Sequence, residues 1–439
     1  MPQHVSENKI GQSLSALVLF VLLTSCHSFD DAQSDASFNA STQPFPTQVA
    51  PFDNYKEQVF NYLSANRSFV GTDKSAEIAM NMPFECGISV NDKGLFLVHG
   101  LGDSPYFFRE LAATLCEKGL RVRVMLLPGH GSKPGDMLSV SYEQWQAETD
   151  FQLEQFAATV EQLYVGGFST GANLTTISAF ERNDISGMIH FSPAFKSRFF
   201  VSKLAPYIDT LYPWPNVEAE DNPSRYNSTA MPGFAAYQES VNALARLFDD
   251  NDGKKASLDV PVLMVVAEKD SVVDTQHVAK RFKENFTNDK KCLLWQGEEA
   301  PDVFVDNPSM SGQLLMQSMN LPEERISAAS HMSSLFSEAN SLYGIQSTFR
   351  ICDNGQDGEL EALCKQGKEG KEGKKGKEVW YGPWGYEDEN ANRVYARLTY
   401  NPYFDMMIDK IVAFTSDESA GDFCSTSRTV LAHSSWNTG

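Results

Sequence analysis

The sequence predicts an α/β fold in which a mostly parallel sheet is covered by helices on both faces. Short runs of consecutive apolar residues alternate with longer helix-like segments between about residues 94 and 267. The apolar runs are continuous, which is typical of strands that are buried on both faces. Because strands alternate with helices, we expect crossover connections and a parallel sheet. Ligands bind such sheets at the carboxyl ends of the strands.

The elements are predicted in chain order from their apolar patterns. A first helix begins near Asn54, because apolar side chains recur there at helical spacing. Gly119 ends the first crossover helix, as glycine commonly does. A short strand-like run lies at residues 326–329. The main strands are predicted at residues 94–98, 122–127, 163–167, 188–191 and 260–267, and the main helices at 107–120, 145–163, 170–180, 241–248 and 404–414.

The N-terminal residues predict export and a lipid anchor. The apolar run at residues 14–23 is too short to span a bilayer comfortably and has the length of a signal-peptide core. Small residues precede Cys26 and resemble the lipobox of bacterial lipoproteins, in which the cysteine is lipidated and becomes the first mature residue. An ordinary signal peptide with a chance cysteine is the alternative. His27 in place of aspartate resembles retention at the outer membrane of the bacterial cell envelope.

The chain is therefore divided into a lipoprotein signal peptide, a flexible tether and one folded domain, at residues 1–25, 26–52 and 53–439. The tether is predicted because polar and small residues dominate there without periodicity. The strand–helix alternation stops at residues 196–259, where aromatic residues and prolines indicate an inserted cap. A second insertion, at about 352–395, contains a mixed-charge run broken by glycines and is predicted to be a low-complexity surface loop.

Charge and motif content exclude several classes of partner. The formal charge of -21 argues against nucleic acid, whose phosphates need clustered lysine and arginine. It also disfavours attraction to an anionic membrane surface, so we expect membrane contact through the N-terminal anchor only. The sequence has no His-Glu-x-x-His, no paired Cys-x-x-Cys and no Walker phosphate loop. We therefore predict neither a metal nor a cofactor.

Six cysteines follow Cys26, at positions 86, 116, 292, 352, 364 and 424. An even number in an exported chain permits up to three disulfides, and six cysteines allow 15 pairings. Proximity in the sequence suggests only Cys352 with Cys364. Cys116 lies on the apolar face of a predicted helix, which predicts a buried free thiol.

A serine that lies between two glycines is the candidate nucleophile. Ser169 lies in Gly167-Phe168-Ser169-Thr170-Gly171, between an apolar strand and a helix-like segment. A strand-to-helix turn of this kind exposes a nucleophilic serine, and the glycines avoid collisions with the strand and the helix. A serine hydroxyl is a weak nucleophile at its free pKa and needs an adjacent base. We therefore predict a serine hydrolase with Ser169 as its nucleophile.

Four segments resemble the α/β-hydrolase family, particularly bacterial carboxylesterases and monoacylglycerol lipase-like or serine aminopeptidase-type enzymes. The resemblance covers about residues 90–335, and its motifs lie at 99–105, 127–132, 167–171 and 267–270. It implies an α/β-hydrolase fold with an inserted cap. In this family the acid follows the serine and the histidine comes last, so Asp270 occupies the acid position, with Asp274 and Glu268 as rivals.

Eight histidines compete for the role of base. His331 falls in the expected order, after Asp270 and the strand-like run, whereas His99 and His130 lie in loops that the family uses for shape. The resemblance also implies an oxyanion hole formed by the backbone N–H groups of Leu101 and Thr170.

The predicted activity is carboxylic ester hydrolysis through an acyl-enzyme, and the substrate class is a lipid-like ester such as a monoacylglycerol or lysophospholipid. The aromatic cap supports this class, because caps in the family accept acyl chains. An amidase or aminopeptidase is the first alternative, with Glu218, Glu220 or Asp221 as candidates for binding a substrate amine. A catalytically silent envelope binding protein is the second.

Overall fold

The computed structural model describes residues 35–87, 93–249, 256–347, 349–353, 356, 358–366, 379–383, 393–416 and 423–424. Its central strands are β1 (Phe84–Cys86), β2 (Lys93–Val98), β3 (Arg121–Val124), β4 (Gln162–Phe168), β5 (Ile185–Phe191), β6 (Val262–Ala267), β7 (Lys291–Gln296) and β8 (Leu314–Gln317). They form one sheet in the order β1-β3-β2-β4-β5-β6-β7-β8. Only β1 runs antiparallel to its neighbour, β3. The predicted fold, a mostly parallel sheet with crossover helices, is confirmed.

The helices connect the strands and cover the sheet. They are α1 (Phe52–Asn66), α2 (Lys74–Asn81), α3 (Arg109–Glu117), α4 (Tyr142–Ala157), α5 (Thr170–Glu181), α6 (Ala205–Ile208), α7 (Met231–Phe248), α8 (Thr275–Asn285), α9 (Asp302–Val305), α10 (Gly358–Gln366) and α11 (Phe404–Thr415). Short 3-10 helices lie at Ala36–Phe38, Pro105–Phe108, Pro134–Ser139, Phe200–Leu204, Pro308–Gln313 and Pro322–Glu324.

Two apolar clusters form the core, one on each face of the sheet. The first joins α4, α5, α7 and α8 to the sheet through Trp145, Leu174, Leu244 and Phe282. The second joins α3 and α11 to the opposite face through side chains such as Leu111 and Ile408. Because both faces are covered, the strands can be continuously apolar, as the sequence pattern required.

The predicted strand at residues 326–329 is wrong. Ile326 forms isolated bridges with Leu321 and with Tyr381, which belong to two different segments. The run therefore pairs at a single residue and cannot extend along one neighbour as a strand.

The tether prediction is wrong for residues 35–52, which pack against the domain. The Phe38 ring is buried and lies 5.1 Å from the Trp214 ring in an edge-to-face contact. The Ser41 amide donates to Asp136 at 2.6 Å. Single aromatic and polar anchors hold this segment in place without any helical or strand periodicity, so composition gave no sign of it. Residues 1–34, with Cys26 and the predicted signal peptide, lie outside the described residues.

The segment predicted as a cap lies between β5 and β6. Its main helix, α7, begins ten residues before the predicted start at 241 and packs against α5. The amide of Tyr226 donates to the carbonyl of Gly102 at 2.8 Å. This contact fixes the segment beside the turn that follows β2.

The second insertion is partly ordered, so the loop prediction is wrong for its described residues. They include α10 and a parallel pair of strands, β9 (Val379–Gly382) and β10 (Val394–Arg397). A disulfide joins Cys352 to Cys364, as sequence proximity suggested. The charged run at 368–378 lies outside the described residues.

Two further disulfides connect distant elements. Cys86 pairs with Cys116, so the prediction of a free Cys116 thiol is wrong. The reason is β1, which the sequence pattern did not reveal and which places Cys86 beside α3. Cys292 on β7 pairs with Cys424, which follows α11 by nine residues.

Candidate active site

Ser169 occupies the sharp turn between β4 and α5. Its backbone has φ 53° and ψ -115°, a strained conformation for a residue with a side chain. A Cβ atom at Gly171 would lie 2.0 Å from the Val98 carbonyl oxygen, and one at Gly167 would lie 2.3 Å from the Gly171 carbonyl carbon. Both positions therefore require glycine for close backbone approach, as the sequence reasoning expected.

A chain of hydrogen bonds links Ser169 to His331 and Asp270. The Ser169 Oγ lies 2.9 Å from His331 Nε2, and His331 Nδ1 lies 2.6 Å from Asp270 Oδ2. Because the ionised carboxylate can only accept, Nδ1 carries the proton and Nε2 is free to accept from the serine. The structure thus brings together three residues that are separated by 101 and 61 positions in the chain.

Backbone contacts orient the acid and the histidine. The second oxygen of Asp270 accepts the amides of Val272 and Val273 at 2.7 and 3.1 Å. The Ser192 hydroxyl donates to the His331 carbonyl at 2.8 Å. Asp270 is almost fully buried, and these bonds supply the partners that a buried carboxylate requires.

The rival acids are engaged elsewhere. Asp274 accepts from the His277 amide at the start of α8 and pairs with Lys196 at 2.7 Å. Glu268 accepts the amides of Glu298 and Glu299. Neither side chain is bonded to His331 among the described contacts.

The other described histidines have different partners. His190 lies in β5 near the Thr176 hydroxyl, and burial lowers its pKa to about 3. His277 lies on α8 beside Arg281. His4, His27 and His433 lie outside the described residues.

Leu101 and Thr170, the expected oxyanion donors, lie in two turns that meet at Ser169. Thr170 is the first residue of α5, so its amide is one of the N–H groups that have no acceptor within the helix. Leu101 lies in the turn after β2, where a Cβ atom placed on Gly100 would be 3.2 Å from the Ser169 Cβ. The two backbone segments that the family uses for an oxyanion hole are therefore adjacent to the serine.

Two buried histidines fix the turn after β2. This turn carries Leu101, an expected oxyanion donor, and is called the oxyanion turn below. The amide of Gly102 donates to His130 Nε2 at 3.1 Å, and His130 Nδ1 lies 3.1 Å from the Pro128 carbonyl. His99 Nε2 accepts the Leu127 amide, so His99 Nδ1 donates to the Gly100 carbonyl at 2.9 Å. Burial lowers the pKa of both, to about 4 for His99, so both rings are neutral at pH 7. The sequence reasoning assigned these histidines to loop shape, and it did not predict that they bond the oxyanion turn.

Asp103 is a further buried carboxyl group at this turn. A Cβ atom placed on Gly100 would lie 2.6 Å from Asp103 Oδ2. Burial raises the pKa of Asp103 to about 7, opposed by the charges of Arg225 and His331. The motif contained this residue, but its burial could not be inferred from the sequence.

The acidic residues that were considered for binding a substrate amine already accept hydrogen bonds from the protein. Glu220 accepts the amides of Asn227 and Ser228 at 2.9 and 2.7 Å. Burial, followed by the charge of Asp353 and a hydrogen bond to it, raises the pKa of Glu218 to about 7. Asp221 accepts from the side chain of Asn227.

Within the described part of the chain, no three His, Cys, Asp or Glu side chains are grouped so that they could hold a metal ion. Among the same residues, no helix combines the length and the apolar character needed to cross a bilayer.

A known protein family matches the part of the chain that contains β2 to β7. Residues 90–297 match the family described as serine aminopeptidase, S33. The match includes Ser169 and Asp270 and ends before His331. A thermostable monoacylglycerol lipase of Bacillus sp. (strain H-257) is 26% identical over 187 residues, which are 41% of this chain and 71% of that protein.

Solved structures of lipolytic proteins also superpose on this chain. A structure from a study of LipS and LipT, two metagenome-derived lipolytic enzymes, has a TM-score of 0.43 and 20% identity, covering 52% of this chain and 91% of its own. The monoacylglycerol lipase of Paleococcus ferrophilus has a TM-score of 0.40 and 20% identity, and the superposition covers 51% of this chain and 90% of that protein. The order of the strands and the serine turn between β4 and α5 show an α/β-hydrolase fold, and residues 90–297, less than half of the chain, are similar to the serine aminopeptidase, S33 family.

Proposed function

We propose that this chain is a serine carboxylic ester hydrolase that acts through an acyl-enzyme. The observation that carries the proposal is the continuous hydrogen-bonded chain from Ser169 Oγ through His331 to Asp270. A serine hydroxyl becomes a nucleophile when a positioned imidazole accepts its proton, and a buried carboxylate stabilises the imidazolium that results.

The proposed reaction has two steps. The Ser169 Oγ attacks the ester carbonyl carbon while His331 Nε2 takes the hydroxyl proton, and His331 then gives that proton to the departing alcohol. Water attacks the acyl-enzyme next, with His331 again taking and returning a proton, and the carboxylic acid leaves. The amides of Leu101 and Thr170 would stabilise the oxyanion in both steps, and losing one such donor typically costs 10²–10³ in kcat.

A lipid-like ester, such as a monoacylglycerol or lysophospholipid, is the proposed substrate class. The curated relative is a monoacylglycerol lipase, which supports an ester of this kind. The segment between β5 and β6 also places apolar side chains beside the oxyanion turn, since Leu101 packs with Tyr237 and Val241 of α7. An acyl chain leaving the Ser169 region would meet this apolar surface.

A fluorophosphonate probe and short-chain p-nitrophenyl esters test the proposal. The soluble form that begins after Cys26 should be labelled and should turn over the esters, and Ser169→Ala should abolish both. Ser178→Ala is a matched control, because this serine lies on the same helix but bonds to Asp150. Folded protein that neither labels nor hydrolyses any ester would favour a silent binding protein.

An aminopeptidase remains the second candidate, since the matching family carries that description. It would need a free acidic group at the substrate amine, whereas both Glu220 oxygens already accept backbone amides. A panel of amino-acid p-nitroanilides beside p-nitrophenyl esters separates the two. Turnover of the anilides at rates comparable with the esters would favour the peptidase.

We also propose that Cys26 is lipid-modified and anchors the protein in the cell envelope, at the outer membrane. The support is the short apolar run followed by small residues and cysteine. Metabolic labelling with an alkyne fatty acid in a bacterial host should mark the full-length chain. Cys26→Ser should lose the label, and equal labelling of this variant would contradict the anchor.

A further inference from the structure

Arg225 is a cation without a bonded partner beside the candidate site. Among the described residues, no hydrogen bond or ion pair involves its guanidinium, and its Nε is shielded from solvent with no acceptor. A shielded donor without an acceptor is costly, and a bound group can supply the missing acceptor. Arg67, which lines the same cavity, is by contrast paired with Glu77 at 3.1 Å.

Arg225 and the turn after β2 line one small cavity. Gly102, Asp103 and Arg225 all line it, and its volume is about 20 Å³. The neighbouring residue Tyr226 donates its amide to the Gly102 carbonyl at 2.8 Å, which holds this stretch of chain against the turn. The space suits the oxygen-bearing end of a group, since one water needs about 10–15 Å³.

No carboxyl group of the described residues forms an ion pair with Arg225, although its charge acts on Asp103, Glu218 and Glu220. Glu220 is engaged by two backbone amides, and Glu218 accepts from Asn216 at 2.6 Å. Burial raises the pKa of Asp103 to about 7, which disfavours the charged form of its carboxyl group at neutral pH. The charges of both Arg225 and His331 act on Asp103, which places the Arg225 charge within electrostatic reach of the candidate triad.

A second guanidinium, that of Arg397, lies within electrostatic reach of Arg225 and of the carboxylates of Asp353 and Glu218. Burial lowers the pKa of Arg397 to about 10, and the repulsive charge of Arg225 contributes to that lowering. The charge of Asp270 raises the pKa of Arg397, so Arg397 also lies within electrostatic reach of the candidate triad.

We propose that Arg225 binds an anionic oxygen group of the substrate, so that this enzyme prefers esters that carry a phosphate or carboxylate over neutral esters of equal chain length. The inference rests on the proposed ester hydrolysis at Ser169 and narrows its substrate class. Arginine suits this role because its planar fork donates two parallel hydrogen bonds to carboxylate or phosphate.

The anion can belong to either side of the ester, and two matched pairs of substrates distinguish these sources. Mono-p-nitrophenyl succinate against p-nitrophenyl butyrate places a carboxylate on the acyl side. 1-Octanoylglycerol 3-phosphate against 1-octanoylglycerol places a phosphate on the alcohol side. The measured quantity is the ratio of kcat/KM for the anionic ester to that for its neutral partner.

The full-length chain is assayed as wild type, Arg225→Gln and Arg225→Lys. At least one pair should show a ratio above one in the wild type, and Arg225→Gln should lower that ratio about 10- to 100-fold, as expected for a lost charge-assisted bond. Turnover of the neutral partner should change little, and Arg225→Lys should retain part of the preference. Arg182→Gln is the control, because Arg182 follows the far end of α5, about 20 Å from Ser169, and pairs with Glu154 and Asp184.

Equal ratios in wild type and Arg225→Gln would overturn the inference while leaving ester hydrolysis intact. So would a wild type with no preference in either pair. Absence of turnover for all four esters, in a wild type whose unfolding is cooperative, would instead remove the proposed function itself.

Discussion

The most direct test of the oxyanion turn is the substitution His130→Phe. His130 is fully buried, and its Nε2 accepts the Gly102 amide at 3.1 Å. Phenylalanine keeps the ring that packs 5.4 Å from Trp145 but cannot accept a hydrogen bond. The variant therefore leaves the buried Gly102 amide without a partner, with little change in packing.

Two magnitudes follow from this loss. An unpaired buried donor costs about 1–3 kcal/mol, so we expect the free energy of unfolding to fall by that amount. If the turn then shifts the adjacent Leu101 amide away from the oxyanion, kcat should fall by roughly 10²–10³ with a smaller change in KM. The stability change and the rate change are therefore separable.

The assay combines urea denaturation with steady-state hydrolysis of p-nitrophenyl butyrate. His130→Gln is the matched variant, because its side-chain carbonyl can accept the same amide and should restore part of kcat. A His130→Phe variant that is less stable but retains wild-type kcat would refute the view that this histidine positions the oxyanion donor.

Three other predictions concern the fold around the site. Gly171→Ala forces a Cβ to within 2.0 Å of the Val98 carbonyl oxygen, so we expect a destabilisation of about 3 kcal/mol, the upper end of the usual cost of overpacking, and loss of fluorophosphonate labelling; a stable, fully labelled variant would contradict the geometry. Burial raises the pKa of Asp103 in the folded state to about 7, above its value in the unfolded chain. The folded state therefore holds a proton that the unfolded chain releases between about pH 4 and 7, so the free energy of unfolding falls as the pH rises to 7. Asp103→Asn should therefore be more stable than wild type at pH 8, by as much as about 4 kcal/mol, and the gap measured in urea should close near pH 4. Replacing Cys292 and Cys424 by serine opens a bridge with a sequence separation of 132, and loop entropy predicts a loss of about 5 kcal/mol, checked by urea denaturation under non-reducing conditions.

The centre of the sheet and the turn that carries Ser169 could be predicted from local pattern. Continuous apolar runs indicate buried parallel strands wherever they occur, and the glycines around Ser169 report a turn in which the backbone comes too close for side chains. Asp270 and His331 were predicted from the order of acid and histidine in the family that the sequence resembles. In the structure His331 lies within hydrogen-bond distance of both Asp270 and Ser169. Their catalytic roles stay predictions until the variants are measured.

The contacts that surround this centre depend on tertiary structure. Phe38 is buried against Trp214, from a segment whose composition predicts a free coil. Cys116 lies on an apolar helix face and still forms a disulfide, because an unpredicted edge strand brings Cys86 to it.

The sequence by itself determined the five central strands from β2 to β6, the position of Ser169 in a strand-to-helix turn and the need for glycine around it, because each of these is a property of neighbouring residues. Only the tertiary structure decided that His130 bonds the turn that carries Leu101, and that Arg225 lines one cavity with Gly102 of that turn. The physical reason is that a hydrogen bond depends on the distance between atoms, and burial depends on what packs around them. Both quantities are set by segments far apart in the chain, which no local pattern encodes.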